Sequence, residues 1–159
     1  MMPERRMDLK FNSLGETATE VKHLHEVGWE RAGNWSLAQI LEHLNVTLRM
    51  TMGEIPFFLP APVRPLIKLA FMPTVRKGLP IRLRAIAPKS LQPGPSPDER
   101  EMVDRYCTLV DLLLTSETQF APIHPVFGRV NRDEWLQIQT WHATHHLSFM
   151  SAVQKLALR

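Results

Sequence analysis

The histidines near the end of the chain have the type and spacing of metal ligands. Residues 141–146 read Trp-His-Ala-Thr-His-His, so His142 and His146 are four positions apart. Four residues of an α-helix return to within about 40° of the same face, which places the two imidazoles side by side. The pair His142 and His145 is offset by roughly 60° and is favoured less. The spacing therefore predicts a two-point chelate on one helix.

A third histidine, His43, lies inside another helical pattern and completes a candidate three-histidine site. Neutral imidazole binds Zn, Ni, Cu or Fe(II), and three such ligands leave a divalent ion its full charge and an open position. Such an ion can lower the pKa of a bound water toward about 7 or hold a thiol as its thiolate. The alternative is that these are surface or hydrogen-bonded core histidines, because the motif lacks the Glu of H-E-x-x-H.

Polar neighbours of the predicted ligands are candidates for supporting contacts. Gln39 and Gln139 each lie about one turn before a predicted ligand, where an amide could orient an imidazole. Gln39 has an alternative role as partner of the cap residue that starts its helix. His145 is expected to be a hydrogen-bonded packing residue beside the ligand face. His124 precedes a proline and is expected to make a structural contact where the last helix begins.

Four capping patterns predict where the helices that carry these residues begin. In each, a Ser or Asn stands three positions before a Glu or Gln, a spacing that can satisfy two free backbone donors reciprocally. The cap residues are Ser13, Ser36, Ser96 and Asn131. The first helix is predicted over roughly 14 to 27, with Gly28 as its terminator, and the last is predicted to continue through Met150 and Val153. Apolar residues at helical spacing follow each cap, which predicts an all-α bundle.

Length and composition predict one domain spanning residues 1–159. The chain is 44% hydrophobic and has no apolar run that approaches the roughly 18 residues of a membrane span. A lone cysteine, Cys107, excludes an intramolecular disulfide, and its apolar neighbours suggest a core position. The first residues lack the apolar region of a signal peptide, so we expect a cytoplasmic protein.

Residues 54–95 differ from the rest of the chain in composition. They hold nine of the thirteen prolines, seven Lys or Arg and a single acid, Glu54. We expect a long crossover between helices two and three, with a short helix over residues 66–72. It should fold back and bury four apolar side chains, or else form a homodimer interface if they are exposed. These are Phe57, Phe58, Leu66 and Phe71.

The basic character of this crossover leaves an alternative partner open. An anionic membrane or a nucleic acid could bind such a surface. The net charge is only +3 and aromatic residues do not alternate with the basic ones, as a base-stacking surface requires. Residues 81–86 are the one segment in which apolar and polar side chains alternate as in a β-strand. We expect a small-molecule substrate and neither a membrane nor a nucleic-acid partner.

Two longer motifs are similar to those of a known superfamily. The segment 35–44, Trp-Ser-Leu-Ala-Gln-Ile-Leu-Glu-His-Leu, followed later by His142-x-x-His145-His146-Leu147, resembles the DinB/YfiT-like superfamily of metal-dependent bundle proteins. His-Pro-Val-Phe-Gly at 124–128, ahead of the capped last helix, looks like a bacterial branch of unknown function. The resemblance implies a four-helix bundle with a long crossover after helix two. It also implies a metal held by His43, His142 and His146.

The resemblance further implies a range of activities. Members of the superfamily include transferases and isomerases that use low-molecular-weight thiols, beside members with no known reaction. We expect a metal-dependent transferase or hydrolase that uses Zn or Ni, with Fe or Mn as alternatives, and a small thiol as co-substrate. The alternative is a non-catalytic metal-binding or stress-response binding module. Ser148-Phe149-Met150 departs from the basic residue and Gln common in the branch, so no polar substrate contact is carried over there.

Overall fold

Five α-helices and two small antiparallel sheets make up the part of the chain that the structure describes. The computed structural model describes residues 3–82 and 87–153. The helices are α1 Leu14–Val27, α2 Leu37–Met50, α3 Arg64–Lys77, α4 Glu99–Leu114 and α5 Arg132–Leu147. A 3-10 helix covers Lys89–Leu91, and the strands are β1 Trp29–Arg31, β2 Ile123–His124, β3 Gly128–Arg129 and β4 Met150–Ala152. The fold is mostly helical, as predicted, with two small two-stranded sheets in addition.

Four of the helices share one hydrophobic core. Helix α1 packs against α4 and α5, and α2 packs against the same two helices. Apolar residues at helical spacing fill the space between them; examples are Val21, Leu24, Leu41, Leu44, Leu48, Tyr106, Val110, Leu113 and Leu147. Burying one such side chain stabilises the fold by about 1.5 to 3 kcal/mol relative to leaving it in water. None of the helices in the described ranges is long and apolar enough to cross a membrane.

The predicted caps position the two helices that carry the histidine motifs. Ser36 at the start of α2 and Asn131 at the start of α5 both form complete capping boxes. At α1 the box is only half formed. Ser13 accepts from the backbone N–H of Glu16, but the Glu16 carboxylate accepts from Asn12 instead of from Ser13. The bounds predicted for α1 are confirmed.

Helix α4 begins later than the predicted cap at Ser96. Its N-cap is Asp98, whose carboxylate accepts a 2.8 Å hydrogen bond from the backbone N–H of Glu101. Asp is as good an N-cap as Ser, and Asp98 stands three residues before that acidic residue. The prediction at Ser96 is wrong because a nearer cap with the same chemistry starts the helix.

The last helix is shorter than predicted because the chain after it pairs with β1. Helix α5 ends at Leu147, and β4 runs antiparallel to β1 with Trp29 opposite Ala152. Met150 is fully buried, so the burial that suggested a continuing helix occurs in a strand. A strand pairing between distant segments does not appear in local helical periodicity.

The crossover between α2 and α4 contains a longer helix than the predicted 66–72. Helix α3 accommodates Pro65 in its first turn and Pro73 in its interior, and it ends where Gly78 adopts a left-handed conformation. One side of α3 joins a second hydrophobic cluster, through Met72 and Val75. The predicted strand at 81–86 falls largely on residues 83–86, which lie outside the described ranges.

The expectation that the crossover buries its apolar side chains is wrong for three of four residues. Phe57 is half-buried against the second cluster. Phe58, Leu66 and Phe71 are exposed by 52%, 66% and 36%. Leu66 is exposed because it stands on the side of α3 that is turned away from the second cluster.

Candidate metal centre

The three predicted ligands come together between α2 and α5. The Nε2 atom of His142 lies 3.2 Å from Nε2 of His43 and 3.1 Å from Nε2 of His146. All three ligand atoms lie within 4.8 Å of one another, so the group could hold a metal ion. His142 and His146 are adjacent because they are four residues apart on one helix. His43 meets them because α2 packs against α5.

A backbone carbonyl fixes the proton of His43. Nδ1 of His43 lies 2.7 Å from the carbonyl oxygen of Leu91, at the end of the 3-10 helix. A carbonyl only accepts, so Nδ1 is the donor and Nε2 of the neutral ring carries the lone pair. Such a contact is typical of metal-binding histidines, because it sets both the tautomer and the ring orientation. The sequence offered no signal for it, since any residue can supply a carbonyl 48 positions away.

The separations of the ring nitrogens fit a shared cation. Nitrogen ligands about 2.0 to 2.1 Å from a tetrahedral zinc ion are about 3.3 Å apart. The two close pairs, at 3.2 and 3.1 Å, match that separation. Without an ion, hydrogen bonds would have to hold these nitrogens together. A single proton on His142 Nε2 would then be shared between two acceptors, the Nε2 atoms of His43 and His146. A divalent ion satisfies all three lone pairs at once.

Burial keeps these imidazoles neutral. Desolvation lowers the pKa of His43, and the hydrogen bond to Leu91 offsets part of that change. Desolvation, followed by the charges of neighbouring histidines, holds the pKa values of His142 and His146 well below the usual range. Metal binding requires the neutral ring, so the three side chains are in the binding form at neutral pH.

The crossover is tied to α2 next to the candidate ligands. Gln39 donates from Nε2 to the carbonyl of Gly94 at 3.0 Å, and its Oε1 accepts from Ser36 in the capping box. The Glu42 carboxylate accepts from the backbone N–H of Gly94 at 2.7 Å. Gln39 is therefore the capping partner of Ser36, as the second of its two predicted roles held, and its amide does not hydrogen-bond an imidazole. It holds in place the segment that presents the Leu91 carbonyl.

Gln139 also has a role different from the predicted one. Its side-chain amide is buried and donates to the carbonyl of Thr47 at 2.7 Å and to the hydroxyl of Thr51 at 2.9 Å. Both acceptors lie at the end of α2. Gln139 ties α5 to α2 and does not orient a histidine.

His145 is a hydrogen-bonded packing residue, as expected. Its Nδ1 accepts from the Arg5 guanidinium at 3.0 Å, and its ring packs edge-on against His146 and Phe149. Burial and the charge of Arg5 lower the pKa of His145 to about 4. No sequence pattern pointed to Arg5, which also stacks on Phe149 and donates to Ser148.

One aromatic side chain packs against the histidine cluster. The Trp35 indole stacks nearly parallel on His146, with ring centroids 5.6 Å apart, and lies 5.3 Å from His43.

His124 is buried against Phe127 and Trp135, where its Nδ1 accepts two backbone N–H bonds. The expected structural role of His124 at the entrance to α5 is confirmed.

Comparison with known proteins places the chain in a family. Residues 3–153 match the family model described as protein of unknown function (DUF1569). The chain belongs to this family. The match covers α1 through β4 and includes all three candidate ligands. No curated protein and no solved structure matches the chain.

A cleft of about 470 Å³ lies beside the candidate centre without including its ligands. It is enclosed by the N-terminal segment, the end of α3 and the outer side of α5, and His145 forms part of its wall. His142 and His146 project from another side of α5 and are themselves partly exposed. The helix α5 separates this cleft from the ligands.

Proposed function

We propose that the protein binds a divalent metal ion through His43, His142 and His146 and uses it as a Lewis acid on a small-molecule substrate. The observation that carries the proposal is the convergence of three Nε2 atoms, one of which has its lone pair fixed by the Leu91 carbonyl. Three neutral donors suit Zn or Ni, with Fe or Mn as alternatives. Hydrolysis and thiol transfer are the two reaction classes that we favour.

The order of the ligands supports a relationship to the DinB/YfiT-like superfamily. One ligand comes from the second helix and two come from the last helix, with a long crossover between α2 and α4. We therefore include in the proposal a four-helix bundle of that type, a low-molecular-weight thiol as co-substrate and a cytoplasmic location.

The chain's own residues would divide the work at such a site. His142 and His146 are partly exposed residues, and we place the approach of a small molecule on their side of α5. The Trp35 indole provides an apolar wall over His146, and the Leu91 carbonyl keeps His43 oriented and neutral at Nε2. When bound, a divalent ion would supply Lewis acidity and lower the pKa of a coordinated water or thiol.

Elemental analysis of protein purified without a metal-affinity tag tests the first part of the proposal. We expect about one divalent ion per chain in the wild type. His146→Ala should lose most of it while keeping the far-ultraviolet circular dichroism of the wild type, because the apolar faces of four helices supply most of the stability. The matched control is His23→Ala, an exposed histidine of α1 that should keep its metal.

Activity tests the second part. Hydrolysis of a nitrophenyl ester and transfer of glutathione to a chloronitrobenzene are suitable screens. Any activity found should disappear in His146→Ala and with a chelator, and it should persist in His23→Ala. Full metal content in His146→Ala would show that the coordination is wrong. Loss of metal with retained activity would exclude a metal-dependent mechanism.

A non-catalytic role is the second candidate, in which the ion pins α2 to α5. Two observations favour it: the 470 Å³ cleft does not include the ligands, and Trp35 covers one side of His146. Cobalt substitution separates the two roles. An open coordination position should bind azide and change the visible spectrum of the Co(II) protein, whereas a closed structural site should leave it unchanged.

A further inference from the structure

One side of α3 presents a continuous apolar surface to solvent. We call the exposed residues Pro65, Leu66, Leu69, Ala70 and Pro73 the α3 face. At 100° per residue they occupy an arc of about 140° around the helix. Leu66 is 66% exposed and Leu69 is 78% exposed, whereas Met72 and Val75 on the inner side are buried. The helix is therefore amphipathic, and its outer apolar side has no partner within the described residues.

Neighbouring loop residues enlarge this surface. Val63 is 39% exposed and Phe58 is 52% exposed. The Arg64 guanidinium lies over the Phe58 ring, 5.4 Å from its centroid. A contiguous exposed apolar surface of this kind usually marks an interaction site.

The charge around the α3 face is positive. No acidic residue occurs between Glu54 and Asp98, a stretch that contains seven Lys or Arg. On α3 itself, Lys68 and Arg76 share one carboxylate, that of Glu134, whose side chain is only 12% exposed. Two cations on one mostly buried carboxylate leave a positive surplus.

Two more exposed basic residues lie on α3 or next to it. Lys77 lies exposed at the end of α3. Arg129 is exposed on β3, where its carbonyl accepts from Lys68 at 2.6 Å. The partner of this surface should therefore be both apolar and anionic.

Contrary to the expectation drawn from composition, we propose that the α3 face docks on the surface of an anionic lipid bilayer. A second copy of the chain is disfavoured, because two-fold contact between identical faces would bring the basic borders together. The face is the convex side of a helix and not a groove, so it offers no shaped pocket for a peptide. A fluid bilayer accommodates such a surface, with Leu66 and Leu69 in the acyl boundary and Arg76 and Lys77 at the headgroups.

Vesicle sedimentation tests the proposal. The full chain is mixed with vesicles of phosphatidylcholine alone or with about 30% phosphatidylserine. We expect binding to the anionic vesicles that weakens as salt is raised, because exposed charges are screened. The double variant Leu66→Ser/Leu69→Ser should bind at least about tenfold more weakly. The matched control is Leu112→Ser, which changes an exposed leucine on α4 (44% exposed) and should bind like the wild type.

Charge variants test the second component. Lys77→Gln should reduce affinity for the anionic vesicles roughly fivefold, since one basic residue near such a surface contributes about a factor of that size. Lys22→Gln, a change of an exposed lysine on α1, should leave it unchanged. Binding that is equal for neutral and anionic vesicles, or absent for both, overturns the proposal.

Sedimentation equilibrium examines the competing partner. A wild type that is dimeric in solution and becomes monomeric in Leu66→Ser/Leu69→Ser would assign the α3 face to a homodimer and reject the bilayer. A monomeric wild type that binds anionic vesicles supports the proposal.

Discussion

His124 should make the protein sensitive to acid. It is 6% exposed, and its Nδ1 accepts backbone N–H bonds from Val126 at 3.0 Å and from Phe127 at 3.2 Å. Protonation of Nδ1 would break both bonds and leave a charge buried beside the Trp135 ring. Burial accordingly lowers the pKa of His124 from 6.5 to about 3.

Acidification should lower the free energy of unfolding. Because the pKa of folded His124 is depressed, the unfolded chain is protonated at higher pH than the folded chain. The free energy of unfolding should therefore be maintained above pH 6.5 and decline as the pH falls from 6.5 toward about 3. At pH 4.5 only the unfolded state carries this proton, which corresponds to a loss of about 3 kcal/mol.

Urea unfolding between pH 7 and 4.5 measures this loss when the wild type is compared with His124→Asn. The Asn carboxamide oxygen can accept backbone N–H bonds but does not titrate. The stability advantage of the wild type should shrink by about 3 kcal/mol across this range. Contributions from the other histidines cancel in the comparison. His23→Asn, a change of an exposed histidine of α1, is the control and should run parallel to the wild type.

If the free energies of unfolding of the wild type and His124→Asn change in parallel with pH, this reasoning is refuted. A direct measurement covers the case in which the variant does not fold. In the wild type, the His124 ring should show no titration by NMR above about pH 4, and a midpoint near 6.5 would contradict the burial argument.

Two further predictions concern buried hydrogen bonds. Gln139→Leu removes the donor to Thr47 and should lower the urea stability by about 1 to 3 kcal/mol without reducing metal content, while Gln137→Leu on the exposed side of α5 should change stability by less than about 0.5 kcal/mol. Loss of metal in Gln139→Leu would instead show that Gln139 supports the metal centre. Tyr106→Phe should cost about 1 kcal/mol, because its hydroxyl bonds Thr17 at 2.7 Å in the core; an unchanged urea midpoint would contradict this.

The sequence was most informative where structure depends on neighbours along the chain. The bounds of α1, the capping boxes at Ser36 and Asn131 and the apolar faces of four helices were all predictable from residues within a few turns. The adjacency of His142 and His146 follows from the same helical spacing. The error at Ser96 was also local, since two residues with equal capping ability stood two positions apart.

Contacts between distant segments were decided only by the tertiary structure. The Leu91 carbonyl reaches His43 because the crossover is tied to α2 at Gly94, and no side-chain pattern encodes a backbone acceptor. The amides of Gln39 and Gln139 have plausible spacing for the metal centre, yet nearer carbonyls and hydroxyls took their hydrogen bonds. Spacing limits which groups a side chain can reach, and the competition among those groups determines its partner.

What the sequence by itself determined, then, is the set of helices and the faces on which the histidines stand, because capping and helical periodicity act over a few residues. What the tertiary structure decided is which faces meet. Packing of α2 on α5 brings His43 to the other two histidines, and pairing of β4 with β1 ends the last helix. It also left Leu69 in solvent, because α3 has a core to contact on one side only.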